Sequence, residues 1–455
     1  MKLRTVFAAV TLGLGLAGAA PAENLADALT RGYNASGLLD QNRALLRAAD
    51  EDVAQTLAAL RPIISWSANM TYRNVPGDIQ PGSLDNELTS SAQIDLQLLL
   101  YDFGASDLAT EAAKESVLQA RQQLIGVEQQ VLFRIVSAYM SVRSNSETVA
   151  LRRNNLNLIQ EELRAARDRF EVGEITRTDV SLAEAALAAA RADLAVAEGN
   201  LAQAIEEYTA AVGDRPGALA VVDPAPLPHG LDGARAFAVR NHPDILAARH
   251  GVAAAELNIA RAEAAMQPDL SLNGSITLDE DFDTTETLGL RLSGPIYQGG
   301  QLQSLVRQAM ARRDAARANL LVVTQEVDQT VGTAYALLRV AQAQRGALDE
   351  QVRAAQVAFR GVREEAQLGA RTTLDVLNAE QDLLDARAAG ISAQADEVVA
   401  SYRVLQAMGL LTADHLNLPV QRYDPAAYYN LVRDAPATYS EQGQALDRVL
   451  DAIGD

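Results

Sequence analysis

The chain has 455 residues, 59 acidic against 39 basic for a formal charge of -20, no cysteine and few aromatics (Phe 7, Trp 1, Tyr 12). Without cysteine it has no disulfide and no lipoprotein cleavage-site thiol, and its acidic balance repels nucleic acid and anionic lipid while favouring cations inside any pore. So few rings argue against large globular cores, whereas Ala, Leu and Val at heptad spacing suffice for the thin seams of coiled coils.

At the N-terminus Lys2 and Arg4 precede an apolar stretch from Val6 to Ala20 and then Ala20-Pro21-Ala22, the pattern of a secretory signal cleaved after Ala22. A GxGxxG string at Gly13, Gly15 and Gly18 falls inside this signal and carries no nucleotide-binding meaning. No later segment is an uninterrupted apolar run of the roughly 18 residues that a spanning helix needs.

From Ile64 to Tyr72 every second residue is apolar, and the pattern returns at Ala92, Ile94, Leu96, Leu98 and Leu100. Later segments repeat it, at Leu270 to Leu278 and at Leu288, Leu290 and Leu292. Strands of about 9 to 11 residues with one apolar and one polar face have the length and pattern of outer-membrane barrel strands. One such segment alone reads better as a half-buried sheet in a soluble domain. Four of them in an exported chain reverse that preference. Asp95 and Arg291 occupy matching positions on the polar faces and suit a wet lumen. The acidic run Asp279-Glu280-Asp281-Phe282-Asp283 lacks the glycine of an EF-hand loop and reads as a solvated barrel turn.

After each strand pair the period changes from two to seven. Ile135, Val142, Val149, Leu156, Leu163 and Phe170 keep one seam, with Val117, Leu124, Val131 and Ala138 beside it; Leu320, Val327, Ala334, Ala341, Leu348 and Ala355 keep another. No proline interrupts residues 82–215 or 296–418, so both intervals accommodate very long helices that supercoil against partners. A helix of some 66 residues is about 100 Å long. Each stops at a turn holding Gly173 or Gly369, from which a shorter helix returns with Val180, Leu187, Leu194 and Leu201 at heptad spacing in the first copy. Thr176, Thr178 and Asp179, or Thr372, Thr373 and Asp375, supply its N-cap chemistry.

The chain thus contains itself twice. Tyr101, Tyr139, Gly173, Asp179, Glu184 and Gly213 recur as Tyr297, Tyr335, Gly369, Asp375, Glu380 and Gly409, every pair 196 apart (297 − 101). The strands before them are offset by 206, as Pro62 and Pro268 show, because the loop from Val75 to Leu84 lengthens the first copy. That loop is expected to face outside. The organisation expected is a signal at 1–22, a first repeat at 23–213, a linker at 214–230, a second repeat at 231–419 and a tail at 420–455. Four strands cannot close a barrel, and open edges in hydrocarbon cost several kcal/mol per unpaired backbone group. Three copies of the chain would supply twelve strands and gather the helices into a hollow cylinder.

With this pattern, over essentially its full mature length, the chain resembles the TolC family of outer-membrane efflux proteins. Gly294-Pro295-Ile296-Tyr297-Gln298-Gly299-Gly300 resembles that family's passage from the last strand into the second long helix. Phe170-Glu171-Val172-Gly173 with Thr178-Asp179-Val180 resembles its first periplasmic turn, and the string from Gly369 to Leu377 its second. The resemblance implies a mainly α fold with a β part: a homotrimer with a 12-stranded outer-membrane barrel, a periplasmic α-helical coiled-coil tunnel that tapers shut, and an equatorial collar from linker and tail. It implies a passive duct of a Gram-negative outer membrane, joined by a periplasmic adaptor protein to an inner-membrane transporter, in multidrug efflux or type I protein secretion. It implies no enzyme activity, no cofactor and no metal.

The same resemblance places a gate at the helical tip, with Thr178, Asp179 and Arg371 as a latch and Asp375 in the aperture. An Arg fork held by a carboxylate and a hydroxyl suits a latch, because guanidinium geometry favours several simultaneous bonds; the bland reading is a pair of surface charges worth about 0 to 1 kcal/mol. Two departures from the family pattern stand out: Ala366 where an aromatic commonly supports the latch, and Asn378 where a second carboxylate commonly rings the aperture. Three charges in place of six repel less, at roughly 0.7 kcal/mol per pair in water and about 3 kcal/mol at an effective dielectric of 20 for 6 Å, so a weak gate is expected. Gly173 and Gly369 are turn glycines by residue type, and by resemblance the places where the adaptor's hairpins dock. The four histidines, His229, His242, His250 and His415, are scattered and form no zinc motif. The competing reading is a secreted coiled-coil scaffold with a small β head and no channel activity, against which the apolar strand faces argue.

Overall fold

The computed structural model describes residues 22–74, 86–436 and 440–454. The signal segment up to residue 21 and the loop from Val75 to Leu84 lie outside the described residues. The first repeat runs α1 (Leu25–Asn34), α2 (Gly37–Ala58), β1 (Ile63–Asn74), β2 (Asn86–Tyr101), α3 (Ala105–Glu171) and α4 (Arg177–Val212). The second runs α5 (Leu231–Asn241), α6 (Pro243–Ala264), β3 (Asp269–Leu278), β4 (Thr284–Ser293), α7 (Gln301–Gln367) and α8 (Thr373–Ala407), and the tail adds α9 (Ala427–Val432) and α10 (Glu441–Gly454).

The repeat is longer than the strand-strand-helix-helix unit expected from the sequence. A helix pair precedes each strand pair, and it keeps the 206 offset: Gly37 and Ala58 bound α2 where Pro243 and Ala264 bound α6 (243 − 37). The long helices α3 and α7 have 67 residues each and start and stop 196 apart. Equal boundaries follow from equal punctuation. Both end in a glycine at positive φ, Gly173 at 80° and Gly369 at 78°. In each turn the amide of the glycine and that of the next residue reach back to the last carbonyls of the helix, Gly173 N to Phe170 O at 3.0 Å and Glu174 N to Arg169 O at 2.9 Å, then Gly369 N to Ala366 O at 3.0 Å and Ala370 N to Glu365 O at 2.9 Å. This is the paired C-terminal motif that satisfies the orphan carbonyls of a helix end.

The chain divides into two compact units, each built from both repeats. One holds residues up to Gly32, Ile135–Pro224 and Leu348–Val398. In it the return helix α4 buries alanines rather than the leucines of its heptad: Ala183, Ala190, Ala197 and Ala204 are buried, while Val180, Leu187, Leu194 and Leu201 are half-buried beside them. Small residues on the seam let helix axes approach closely. Tyr139 of α3 is fully buried in this unit, its hydroxyl 2.8 Å from the Glu23 carbonyl and 2.9 Å from the Ala220 carbonyl. These carbonyls belong to two extended segments joined by the parallel bridge between Glu23 and Leu219.

The other unit holds Tyr33–Arg134, Ala225–Ala347 and Val399–Asp455. Its main core packs Ala234, Ala238 and Ile245 against Val327, Val331, Leu338, Val404 and Met408. A second cluster sets Leu46 and Val53 of α2 on Val117 of α3. Tyr335, the repeat mate of Tyr139, donates to the carbonyl of His229 at 2.5 Å. His229 stands 206 after Glu23, so each long helix fastens the segment that leads into its own repeat, and the expected linker already carries that segment for the second copy.

All four strands form one antiparallel sheet in the order β1-β2-β3-β4, the central β2–β3 pairing joining the two repeats. The period-two pattern runs in register across it. Ile64 opposes Leu96, Trp66 opposes Ile94, Ile94 opposes Ile276, Leu98 opposes Leu272, and Leu272 opposes Leu290, so one face is apolar except toward the loop end, where Ser90, Thr284 and Glu286 stand. The other carries Ser65, Asp95, Ser275 and Thr287 in one row.

Candidate functional site

Two places concentrate unusual chemistry, the sheet in one unit and the helical tips in the other. On the sheet the ordinary relation of polarity to burial is inverted. In the protomer Trp66 is 81 % and Leu288 75 % exposed on the apolar face, while Ser271 on the polar face is only 5 % exposed. A soluble protein does not present such a patch without a partner or a lipid to cover it. Asp95 and Arg291 share the polar face: Asp95 opposes Ser275, Ser275 opposes Thr287, and Arg291 lies four residues along the same strand. Gln93 Nε2 donates to Asp95 Oδ1 at 2.5 Å, and the hydroxyls of Ser275 and Thr287 bond at 2.6 Å. The acidic run between β3 and β4 is a tight turn, in which Asp279 Oδ1 accepts from the amides of Asp281 at 3.1 Å and Asp283 at 2.8 Å. In the sheet β1 and β4 each have one neighbour, which leaves an open edge on either side among the described residues.

At the tips the two repeats build the same cap twice. Thr176 Oγ1 and its amide both donate to Asp179 Oδ2, at 2.7 and 2.9 Å, while the Asp179 amide returns to Thr176 Oγ1 at 3.4 Å. Thr372 and Asp375 repeat this at 2.9, 2.9 and 3.2 Å. Of the residues predicted to cap, Thr176 and Thr372 do so, whereas Thr178 and Thr373 lie within the first turns of α4 and α8. The bonds from Thr176 hold the Asp179 carboxyl below the usual range, and those from Thr372 do the same for Asp375, so both stay charged at neutral pH. Exposed Thr178 stands on the first turn of α4 and exposed Asn378 on the second turn of α8.

Arg371 donates through Nε to Glu365 Oε2 at 2.8 Å, a partner six residues back across the turn, and this bond raises the guanidinium pKa further. Among the described residues no hydrogen bond joins Arg371 to Thr178 or Asp179 within the protomer. Arg371 and Asp179 nevertheless line one groove of about 540 Å³ at the tip, together with Arg169, Glu174, Thr176 and Thr372. Polar and apolar groups share its lining about equally, with Ile175 and Val376 beside the charged residues. Sequence spacing could not have found Glu365, because the pair crosses a turn instead of running along one helix face.

A Cβ placed on Gly369 would meet nothing within 4 Å, so only the positive φ of 78° resists substitution. Gly369→Ala is expected to lower stability by about 1 kcal/mol through backbone strain alone, read as a shifted urea midpoint.

The chain matches the family described as Outer membrane efflux protein over residues 35–214 and 237–410. It is 37% identical to the outer membrane efflux protein BepC of Brucella suis biovar 1, covering 94% of this chain and 95% of that protein. It is 25% identical to the alkaline protease secretion protein AprF of Pseudomonas aeruginosa, covering 78% of this chain and 76% of that one. In fold it is similar to the Campylobacter jejuni CmeC outer membrane channel, with a TM-score of 0.76 at 15% identity over 92% of this chain and 91% of that one. Sequence and fold agree: the chain belongs to the outer membrane efflux protein family, and with it to the non-enzymatic channels of the Gram-negative outer membrane.

Proposed function

We propose that the protein is a passive exit duct that works as a homotrimer, joined by a periplasmic adaptor to an inner-membrane transporter. The observation that carries this reading is the inverted four-stranded sheet with an open edge on each side. Three sheets joined edge to edge make twelve strands, satisfy every edge amide and carbonyl, and turn the apolar face to lipid. Asp95 and Arg291 then line the lumen. The family relatives named for efflux and for protease secretion support the same duct serving small molecules or an exported polypeptide.

The gate in this reading is the ring of tips. Arg371, exposed and tied to Glu365 inside its own protomer, has further N–H groups to give, and Thr178 and Asp179 of a neighbouring hairpin are acceptors of the right chemistry. Asp375 sets three fixed negative charges at the constriction, and Asn378 leaves the ring short of a second three. Gly173 and Gly369 present bare backbone at the tips, where an adaptor hairpin docks.

Single-channel recording of the detergent-purified protein in a planar bilayer tests this. Discrete cation-preferring steps are expected, and Arg371→Ala is expected to enlarge them by a factor of a few by removing the latch. Silent membranes from well-folded protein would return the chain to the secreted scaffold reading.

A further inference from the structure

The two hairpins differ in one ion pair. In the first, Arg167 of α3 donates to Glu184 of α4 at 2.8 Å, with both side chains about half exposed. The 196 offset carries this pair onto Arg363 of α7 and Glu380 of α8. There the pair is not made. Arg363 turns to Glu162 of α3 at 3.5 Å. Glu380 is left 4 % exposed, and neither of its carboxylate oxygens has a hydrogen-bond partner among the described residues.

The carboxyl lines a cavity of about 210 Å³ whose walls include Leu151, Leu158, Phe359 and Leu383. The charged groups around it are Glu162 from α3, Arg363 and Arg360 from α7, and Arg387 on its own helix. An ionised carboxylate in such surroundings is costly, and its simplest relief is a proton. Burial above all, and then the Glu162 charge, push the Glu380 carboxyl up to about 7, against the pull of Arg363.

We propose that Arg363 is a cation exchanged between Glu162 and Glu380, and that a proton on Glu380 decides which of them holds it. With Glu380 protonated, Arg363 stays on Glu162 and ties the second hairpin to the first. When Glu380 releases its proton to water, Arg363 closes the α7–α8 pair that the first repeat makes permanently, and the tie between hairpins is lost. The site is a proton-set tether near the tips, engaged while Glu380 holds its proton and Glu162 is ionised, and released as the medium becomes alkaline. It stands apart from the duct reading, since it concerns only contacts inside one protomer.

The sign follows from linkage. The unfolded chain gives up this proton near 4.5 and the folded chain near 7, so the group's contribution to stability is complete below the first value and is lost as pH rises through the second. Glu380→Gln, an isostere of the protonated form, removes that dependence.

Two measurements on the full-length purified protein test the proposal, and neither reads conductance. In the infrared difference spectrum between about pH 5.5 and about pH 8, a protonated-carboxyl C=O band is expected in the wild type and absent in Glu380→Gln. Coincident spectra would mean that Glu380 keeps one protonation state across this range and would overturn the proposal. A double-mutant cycle of Arg363→Gln and Glu162→Gln, read as the thermal midpoint, is expected to show coupling at the lower pH, none at the higher, and coupling at both in the Glu380→Gln background. Coupling that is the same at both pH values in the wild type would mean that Arg363 does not move, and would equally sink the idea.

Discussion

Leu288→Arg is expected to leave a chain that builds its helices yet fails to assemble in a membrane. Leu288 sits near the middle of β4, opposite Gly274, and is 75 % exposed on the apolar face. A guanidinium at the midplane of an outer-membrane barrel costs about 2 to 4 kcal/mol. Repeated in three copies, this becomes roughly 6 to 12 kcal/mol per trimer, comparable to the whole stability of an ordinary domain. The adjacent substitution Thr287→Arg is the control. Thr287 points to the polar face, where Arg291 already lies four residues away, and its loss removes only a hydroxyl bond to Ser275. Membrane fractionation and a trimer band resistant to detergent on an unheated gel separate the two: Thr287→Arg is expected to behave as wild type and Leu288→Arg to lose both signals. Equal insertion of the two variants would mean that lipid does not cover the apolar face.

The second large effect is expected at Tyr139. Its ring is fully buried, lies 6.5 Å from that of Tyr208, and places one hydroxyl between two backbone carbonyls. Tyr139→Ala loses the ring and opens a cavity, at about 3 to 5 kcal/mol by comparison with other buried aromatics. Tyr139→Phe keeps the ring and leaves the Glu23 and Ala220 carbonyls one donor short, at about 1 kcal/mol. The N-terminal segment depends on this contact, because the Glu23 carboxylate in turn binds Tyr208 and Arg31. Denaturation midpoints are expected to rank wild type, Phe, Ala, and limited proteolysis to cut the Ala variant first near Glu23. If Phe and Ala unfolded alike, the hydroxyl would matter and the ring would not.

The strands were legible because their two faces differ sharply at every second position, and a register slip would put Trp66 and Ser65 on each other's faces. The long helices were legible from the heptad and from the absence of proline. The upstream helices were not read, although α2 carries Leu39, Leu46 and Val53 at the same seven-residue beat, all of them buried. Their signal is short and stands outside the proline-free intervals that drew attention to α3 and α7. The alanine seam of α4 was hidden for a different reason: alanine is too common in this chain to stand out, and the larger Leu187 and Leu194 masked it. At the tips the capping chemistry could be predicted by residue type, but the partner of Arg371 and the isolation of Glu380 could not. Arg167 and Glu184 recur as Arg363 and Glu380, so the sequence implies the same bridge in both copies, and only the packing of Glu162 beside Arg363 breaks the equivalence.

Two helices of 67 residues, matched in start and end, also limit how the protein can change over evolutionary time. An inserted or deleted residue rotates every side chain beyond it by about 100° around the helix axis and throws the buried seam out of line. Only whole heptads restore the seam, and they must enter the return helix as well, and both repeats together, for the two turns to end level. The reach of such a molecule is therefore quantised. It grows or shrinks in steps of about 10 Å, the rise of seven helical residues, each requiring four coordinated insertions in one gene. A lineage that needs a slightly longer or shorter span finds it more easily by remodelling the protein at the other end.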